Sequence, residues 1–249
     1  MRRWITLLPF LSLLTGCGGW YISHGNHGDQ RHPLEKAAQE GNVSEVGRLL
    51  AAGADPNDNG VFGTPLNAAA THPNNVEIIQ LLLAAGANPN GRGEQGQACW
   101  ASPLLHAAST DLENTRALLD AGASVVPSKC SRLAIAWLKT PVLDLLVQHG
   151  LNLHTVDPTG RNELHMALAP PMVPPLEGIE YLLRSGVPLN ARDNSGKTPL
   201  AYWREPRDSE VHWFTTWLFE RLGDDPYFQE QREHRAKISA LLERSGALL

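Results

Sequence analysis

Apolar and polar positions alternate along this chain in short bursts that end on proline or glycine. Between Gly63 and Asn90 one burst resolves into two helices. Thr64 stands at an N-cap, Pro65 suits an opening turn, and Leu66, Ala68 and Ala69 give the first helix a slim apolar face. Pro73-Asn74-Asn75 breaks it. The second helix, Val76 to Ala85, is apolar at Val76, Ile78, Ile79, Leu81, Leu82 and Leu83, more than one face can hide alone. Gly86 stops it in the left-handed conformation that glycine adopts cheaply. Two helices this short cannot bury such a surface by themselves, so the pattern predicts neighbours stacked on both sides.

The pattern recurs. Leu34, Leu66, Leu104, Leu133, Leu164 and Leu200 are equivalent, at spacings of 32, 38, 29, 31 and 36 residues. The second-helix ends recur as well, as Leu49-Leu50-Ala51-Ala52-Gly53, Leu118-Leu119-Asp120-Ala121-Gly122, Leu145 to Gly150, Tyr181 to Gly186, and finally Leu241 to Gly246. A period of about 33 residues with these T-P-L-H-x-A-A and L-L-x-x-G-A patterns resembles the ankyrin repeat. The resemblance implies an all-α solenoid of about six helix-turn-helix repeats over 32–249, with hairpin fingers and a helical C-terminal cap. Residues 201–249 form its divergent last repeat and cap.

Individual repeats depart from the pattern. His165 fills the family's histidine position, where Glu35, Asn67 and Leu105 stand in other repeats. Repeat four begins Cys130-Ser131-Arg132-Leu133 without its proline. In repeat five, Pro170, Pro171, Pro174 and Pro175 are expected to shorten the first helix and stiffen the turn. Residues 88–101 lengthen one finger, and Trp203 to Tyr227 interrupt repeat six. The apolar stripe Val211, Phe214, Leu218 and Leu222 within that interruption is expected to close the end of the array.

The N-terminus changes the picture from a fold to an address. Arg2 and Arg3 precede an apolar run from Trp4 to Leu14 that is too short for a stable bilayer span. Leu14-Thr15-Gly16-Cys17 then resembles the lipobox of bacterial lipoproteins. The resemblance implies that residues 1–16 are a signal peptide and that Cys17 becomes the lipidated N-terminus, carrying several acyl chains. The competing reading is an ordinary secretory signal with an incidental cysteine. Gly18 follows the cysteine, not the Asp that resembles an inner-membrane retention signal, so the expected location is the periplasmic side of the outer membrane, with the inner membrane as the alternative. Residues 17–31, rich in glycine, read as a flexible tether.

Composition narrows the function. The full chain carries a formal charge of −5, and removal of Arg2 and Arg3 with the signal leaves −7. A nucleic-acid-binding face would need clustered Lys and Arg, which are absent. His24, His27 and His32 lie on or beside the tether, a poor ligand set, so no metal is expected. Ser195-Gly196-Lys197-Thr198 imitates the end of a phosphate loop, but Ala191 stands where its first glycine is required. Nucleophile elbows, zinc-protease helices and dinucleotide fingerprints are all missing. The expectation is a chain with no cofactor and no enzymatic activity.

With Cys17 consumed by lipid, Cys99 and Cys130 remain for an oxidising compartment. They precede the aligned leucines of consecutive repeats and would meet on neighbouring fingers, either as a disulfide or as two unpaired thiols. Ankyrin arrays generally bind proteins with their first helices and fingers. On this pattern the outward positions are Gln39 and Glu40, Thr71 and His72, Ser109 and Thr110, and Leu138 and Lys139. The finger tips add Phe62, Arg92, Glu94, Trp100, Thr159, Arg161, Asn194 and Lys197, with Phe62 and Trp100 as aromatic anchors. The whole is expected to be a monomer before binding and to hold a protein partner. Ankyrin lipoproteins of this make-up resemble immunity proteins for secreted antibacterial effectors, including type VI phospholipases. The alternative is an envelope or stress-related scaffold that inhibits nothing.

Overall fold

Among the described residues, helices open on capping side chains at Asn42, Thr64, Ser102, Asp111 and Asn162, and second helices close on a left-handed glycine. The computed structural model describes residues 32–58, 60, 63–91, 102–125, 135–169, 173–204 and 226–248. The expected signal peptide and tether, Phe62, Arg92, Glu94, Trp100, Cys99, Cys130 and the Val211–Leu222 stripe lie outside the described residues.

The described residues are all helix, turn and loop, apart from an isolated antiparallel bridge between Gly60 and Gly63. They divide into two units between Ser124 and Val125. The first unit holds three helix pairs. These are α1 (Pro33–Gln39) with α2 (Val43–Ala51), α3 (Pro65–Ala70) with α4 (Val76–Ala84), and α5 (Pro103–Thr110) with α6 (Leu112–Asp120). The first helices α1, α3 and α5 pack side by side in one layer, and α2, α4 and α6 form the second. Alanine makes the first layer close: Ala38, Ala69, Ala70 and Ala107 have no exposed surface. Ile78, Ile79 and Leu82 of α4 are completely covered from both layers. Burying each contributes about 2 kcal/mol relative to solvent.

The predicted cap at Thr64 forms, and Ser102 caps α5 in the same way. Thr64 Oγ1 accepts from Asn67 N at 3.3 Å, and Ser102 Oγ accepts from Leu105 N at 3.3 Å. Gly86 takes φ +92°, and the next residue, Ala87, donates its amide to Leu82 O at 2.9 Å. The same closing bond runs from Ala54 to Leu49, Ala123 to Leu118, Leu151 to Leu146, Val187 to Leu182 and Ala247 to Leu242. Repetition of this bond in both units is the backbone form of the sequence repeat.

The second unit keeps the plan with two departures. It contains a 3-10 turn (Ile135–Trp137), α7 (Thr140–Gln148), α8 (Glu163–Leu168), α9 (Leu176–Arg184), α10 (Pro199–Arg204) and α11 (Pro226–Arg244). In repeat four the described residues of the first-helix segment form the 3-10 turn. Pro141 sits in the first turn of α7, the one part of a helix that tolerates proline, and so fixes where α7 starts. Leu138, expected to face outward, is therefore turned into the core, with 8% of its surface exposed.

In repeat six, Trp203 and Arg204, placed in the interruption by sequence, are helical. α10 runs to Arg204, and Trp203 is buried in the repeat with its indole N–H on Ser239 Oγ at 2.9 Å. The Arg235 guanidinium lies over the Trp203 ring, 4.1 Å from its centre. Tyr227, placed in the interruption by sequence, belongs to α11. α11 packs on α9, its Ile238 and Leu242 fully buried, and ends on Gly246 as the other second helices do. The first helix of repeat five, α8, stops at Leu168 as the prolines require.

Candidate functional site

The fingers of the second unit are built on two aspartates spaced one repeat apart. Asp157-Pro-Thr-Gly-Arg161 and Asp193-Asn-Ser-Gly-Lys197 have the same shape. In the first, Asp157 Oδ1 accepts from the Thr159 amide (2.8 Å), the Thr159 hydroxyl (2.6 Å) and the Arg161 amide (3.0 Å). Its Oδ2 takes Arg161 Nε at 3.0 Å and Nη2 at 2.9 Å. In the second, Asp193 Oδ1 accepts from the Ser195 amide (2.8 Å), the Ser195 hydroxyl (2.7 Å) and the Lys197 amide (3.0 Å). Tyr202 of α10 donates its hydroxyl to Asp193 Oδ2 at 2.6 Å.

These contacts set the charge of the site. Burial alone would raise both carboxyl pKa values. Hydrogen bonds from Thr159 and Arg161 to Asp157, and from Tyr202, Ser195 and Lys197 to Asp193, reverse that and hold both well below the usual carboxylate range. Burial and the Asp193 contact together push the Tyr202 phenol up, so it stays a donor.

The two fingers are joined to each other. Asn194 donates its amide to Thr159 O at 2.9 Å and its side-chain Nδ2 to Pro158 O at 3.2 Å. His165 of α8 lies fully buried beneath, with Nε2 3.1 Å from Lys197 O. A carbonyl can only accept, so Nε2 carries the hydrogen and Nδ1 receives the Asn162 amide at 3.2 Å. Burial keeps this ring neutral by lowering its pKa, against the smaller opposing pull of the Lys197 carbonyl and Asp193. Asn162 caps α8 through Oδ1 to His165 N at 3.1 Å and ties it to the next repeat through Pro188 O at 2.7 Å. Between the finger tips lies an open recess of about 400 Å³, lined by Thr159, Arg161, Asp193, Asn194, Ser195 and Tyr202.

Of the residues singled out from sequence, Arg161 and Lys197 thus meet at one place. Arg161 is half-buried and paired with Asp157, and the Lys197 ammonium sits 5.6 Å from the Tyr202 ring centre. Lys139 is exposed at the start of α7. In the first unit His72 is exposed, and its carbonyl accepts from Asn114 Nδ2 at 2.8 Å. The Thr110 hydroxyl is directed at the Ala70, His106 and Ala107 carbonyls, 3.0–3.2 Å away, and serves the packing of α5 on α3.

Asp157, Asp193 and Tyr202 carried no side-chain role in the sequence reading. The signal that finds the aspartates is the repeated D-x-[ST]-G-[RK], since an aspartate with a hydroxyl residue two positions on can fold a turn about its own carboxylate. No group of histidine, cysteine and acidic residues among the described residues is arranged to hold a metal. No helix among them is long and apolar enough to cross a membrane.

Comparison with known proteins agrees with this architecture. The family described as "Ankyrin repeats (3 copies)" matches residues 10–93 and 34–129. No curated protein sequence matches the chain. Among solved structures, an ankyrin repeat domain from Acinetobacter baumannii is 22% identical with a TM-score of 0.55, over 87% of this chain and 98% of that one. A chain from the complex of a predatory endopeptidase of Bdellovibrio bacteriovorus with an immunity protein is 20% identical with a TM-score of 0.55, over 71% of this chain and 92% of that one. A further ankyrin repeat protein is 22% identical with a TM-score of 0.51, over 68% and 89%. A fold of this kind is typically a non-catalytic interaction scaffold, and its repeats indicate a module that binds a protein partner. The chain matches ankyrin repeats over residues 10–129 and has the ankyrin-repeat fold.

Proposed function

We propose that this protein is an immunity protein. It is tethered by lipid to the periplasmic side of the outer membrane, and it binds and inhibits a toxic secreted effector such as a phospholipase. It acts by occlusion and not by catalysis. The observation that carries the reading is the pairing of a protein-binding repeat fold with Leu14-Thr15-Gly16-Cys17 behind a short apolar run. A tether of this kind stations an inhibitor where an incoming lipase would act. The Bdellovibrio complex, in which an immunity protein is bound to an endopeptidase, supports the reading as a precedent for such a structure in such company.

The test is capture of partners by the tagged protein from envelope and secretome extracts, followed by assay of what is held. A single stoichiometric enzyme whose activity falls on binding is the expected result. A resident envelope protein with unchanged activity would replace the inhibitor by a scaffold.

A further inference from the structure

The recess between the fingers of the second unit has a hydrogen-bonding polarity imposed by the carboxylates behind it. Thr159 Oγ1, Ser195 Oγ and Tyr202 Oη direct their hydrogens inward to Asp157 or Asp193, at 2.6, 2.7 and 2.6 Å. A hydroxyl has one hydrogen and two lone pairs, so each of the three keeps acceptor capacity alone for a visitor. Arg161 is the reverse. Its Nε and Nη2 face Asp157, while Nη1 makes no contact with the described residues and still carries two hydrogens. The lining therefore presents a row of acceptors with donors at Arg161 Nη1 and the second hydrogen of Asn194 Nδ2.

Charge excludes the simplest ligands. Asp157 pairs with Arg161, Asp193 lines the recess, and the Lys197 ammonium stands over the Tyr202 ring. Arg192, exposed, holds the Gly196 carbonyl at 2.6 Å. An ammonium entering the recess meets these cations. A carboxylate is drawn by those cations but meets the Asp193 carboxylate and three hydroxyls that offer it lone pairs. A neutral amide meets neither objection, because its carbonyl accepts from Arg161 Nη1 while its N–H donates to the hydroxyl oxygens.

We propose that this recess is a receptor for a neutral amide of the protein partner, either an Asn or Gln side chain or a backbone peptide group. The inference rests on the protein-binding reading and specifies the chemistry of one contact within it. Its test is amide-resolved NMR of the full, detergent-solubilised chain titrated with acetamide, N-methylacetamide, acetate and methylammonium. Acetamide is expected to give saturable shifts at Thr159, Asn194 and Ser195. Equal response to N-methylacetamide assigns the site to backbone, and response to acetamide alone assigns it to side chains.

Arg161→Met should abolish the response. Ser195→Ala, at an exposed position, should weaken it about fivefold, the loss of one hydrogen bond. If Arg161→Met loses its dispersed spectrum, Ser195→Ala carries the test. No saturable shift with either amide, or shifts with acetate or methylammonium as large, would overturn the proposal. Partner capture that survives that failure keeps the binding module and removes only this receptor.

Discussion

Asp157 and Asp193 show how a charged residue on a finger tip can be structural. Each closes its loop around one carboxylate oxygen, and that use makes the second unit sensitive to acid. A carboxyl held below its unfolded pKa contributes stability above about pH 4 and loses it as pH falls toward the folded value. His165 acts in the same direction at higher pH. Its neutral ring is favoured by the fold, so stability begins to fall once pH drops below about 6.5, where the unfolded imidazole takes up a proton. Denaturant unfolding followed against pH should therefore show two successive losses on acidification, and Asp193→Asn should flatten the lower one. Unchanged pH dependence in that variant would contradict the assignment.

Gly160 offers a second test at this scale. Its φ is +81°, and a Cβ there would lie 2.6 Å from Asn194 Oδ1 and 3.1 Å from Asn194 N. Gly86, at φ +92°, has open space around it. Gly86→Ala should cost about 1 kcal/mol of backbone strain alone. Gly160→Ala should cost more and should separate the fingers, seen as a lower melting temperature and loss of the Asn194 amide's protection from exchange. These residue roles were hard to read in the sequence. Asp, Thr and Arg on a turn look solvent-directed until loop closure decides that the carboxylate points in.

Helices were the legible elements, because each start and stop is a local matter. Thr64-Pro65 and Ser102-Pro103 announce helix openings, and Gly53, Gly86 and Gly122 announce endings, whatever packs against them. Repeat four was not legible for the same reason in reverse. The described part of its first-helix segment is the turn at Ile135–Trp137, and Pro141, which fixes the start of α7, has no role in the sequence pattern. Leu138 then faces the core because a three-residue turn presents its flank differently from a helix. The caps also differ in weight. Asn42 caps α2 at the surface with one bond to Glu45 N. Asn162 caps α8 while buried and also holds Pro188 O. Asn42→Ala should cost about 1 kcal/mol, and Asn162→Ala about 2 kcal/mol or more, because it also leaves the Pro188 carbonyl unsatisfied. Equal costs in chemical denaturation would mean that the Pro188 contact adds nothing.

At the scale of the whole molecule, sequence and structure divide the work. The repeat could be read early because a stack needs the same apolar positions in every unit, as Leu34, Leu66, Leu104, Leu164 and Leu200 show. Partner-facing residues carry no such constraint, so each finger differs and none names its ligand. In the proposed reading the address lies at the other end, in a cysteine and the three residues before it. On the proposed reading Cys17 bears several acyl chains, and at about 0.8 kcal/mol for each buried CH₂ two or more chains make release from a bilayer negligible. Cys17→Ser should then move the protein from the membrane pellet to the soluble fraction and abolish incorporation of labelled palmitate. Partner capture by the soluble variant should be unchanged, since the fingers lie in the repeats. Protection of living cells should fall, because the inhibitor would no longer be held where the effector attacks. Retention of the variant in the pellet would show that something other than lipid on Cys17 holds the protein there, and the address would have to be sought elsewhere in the chain.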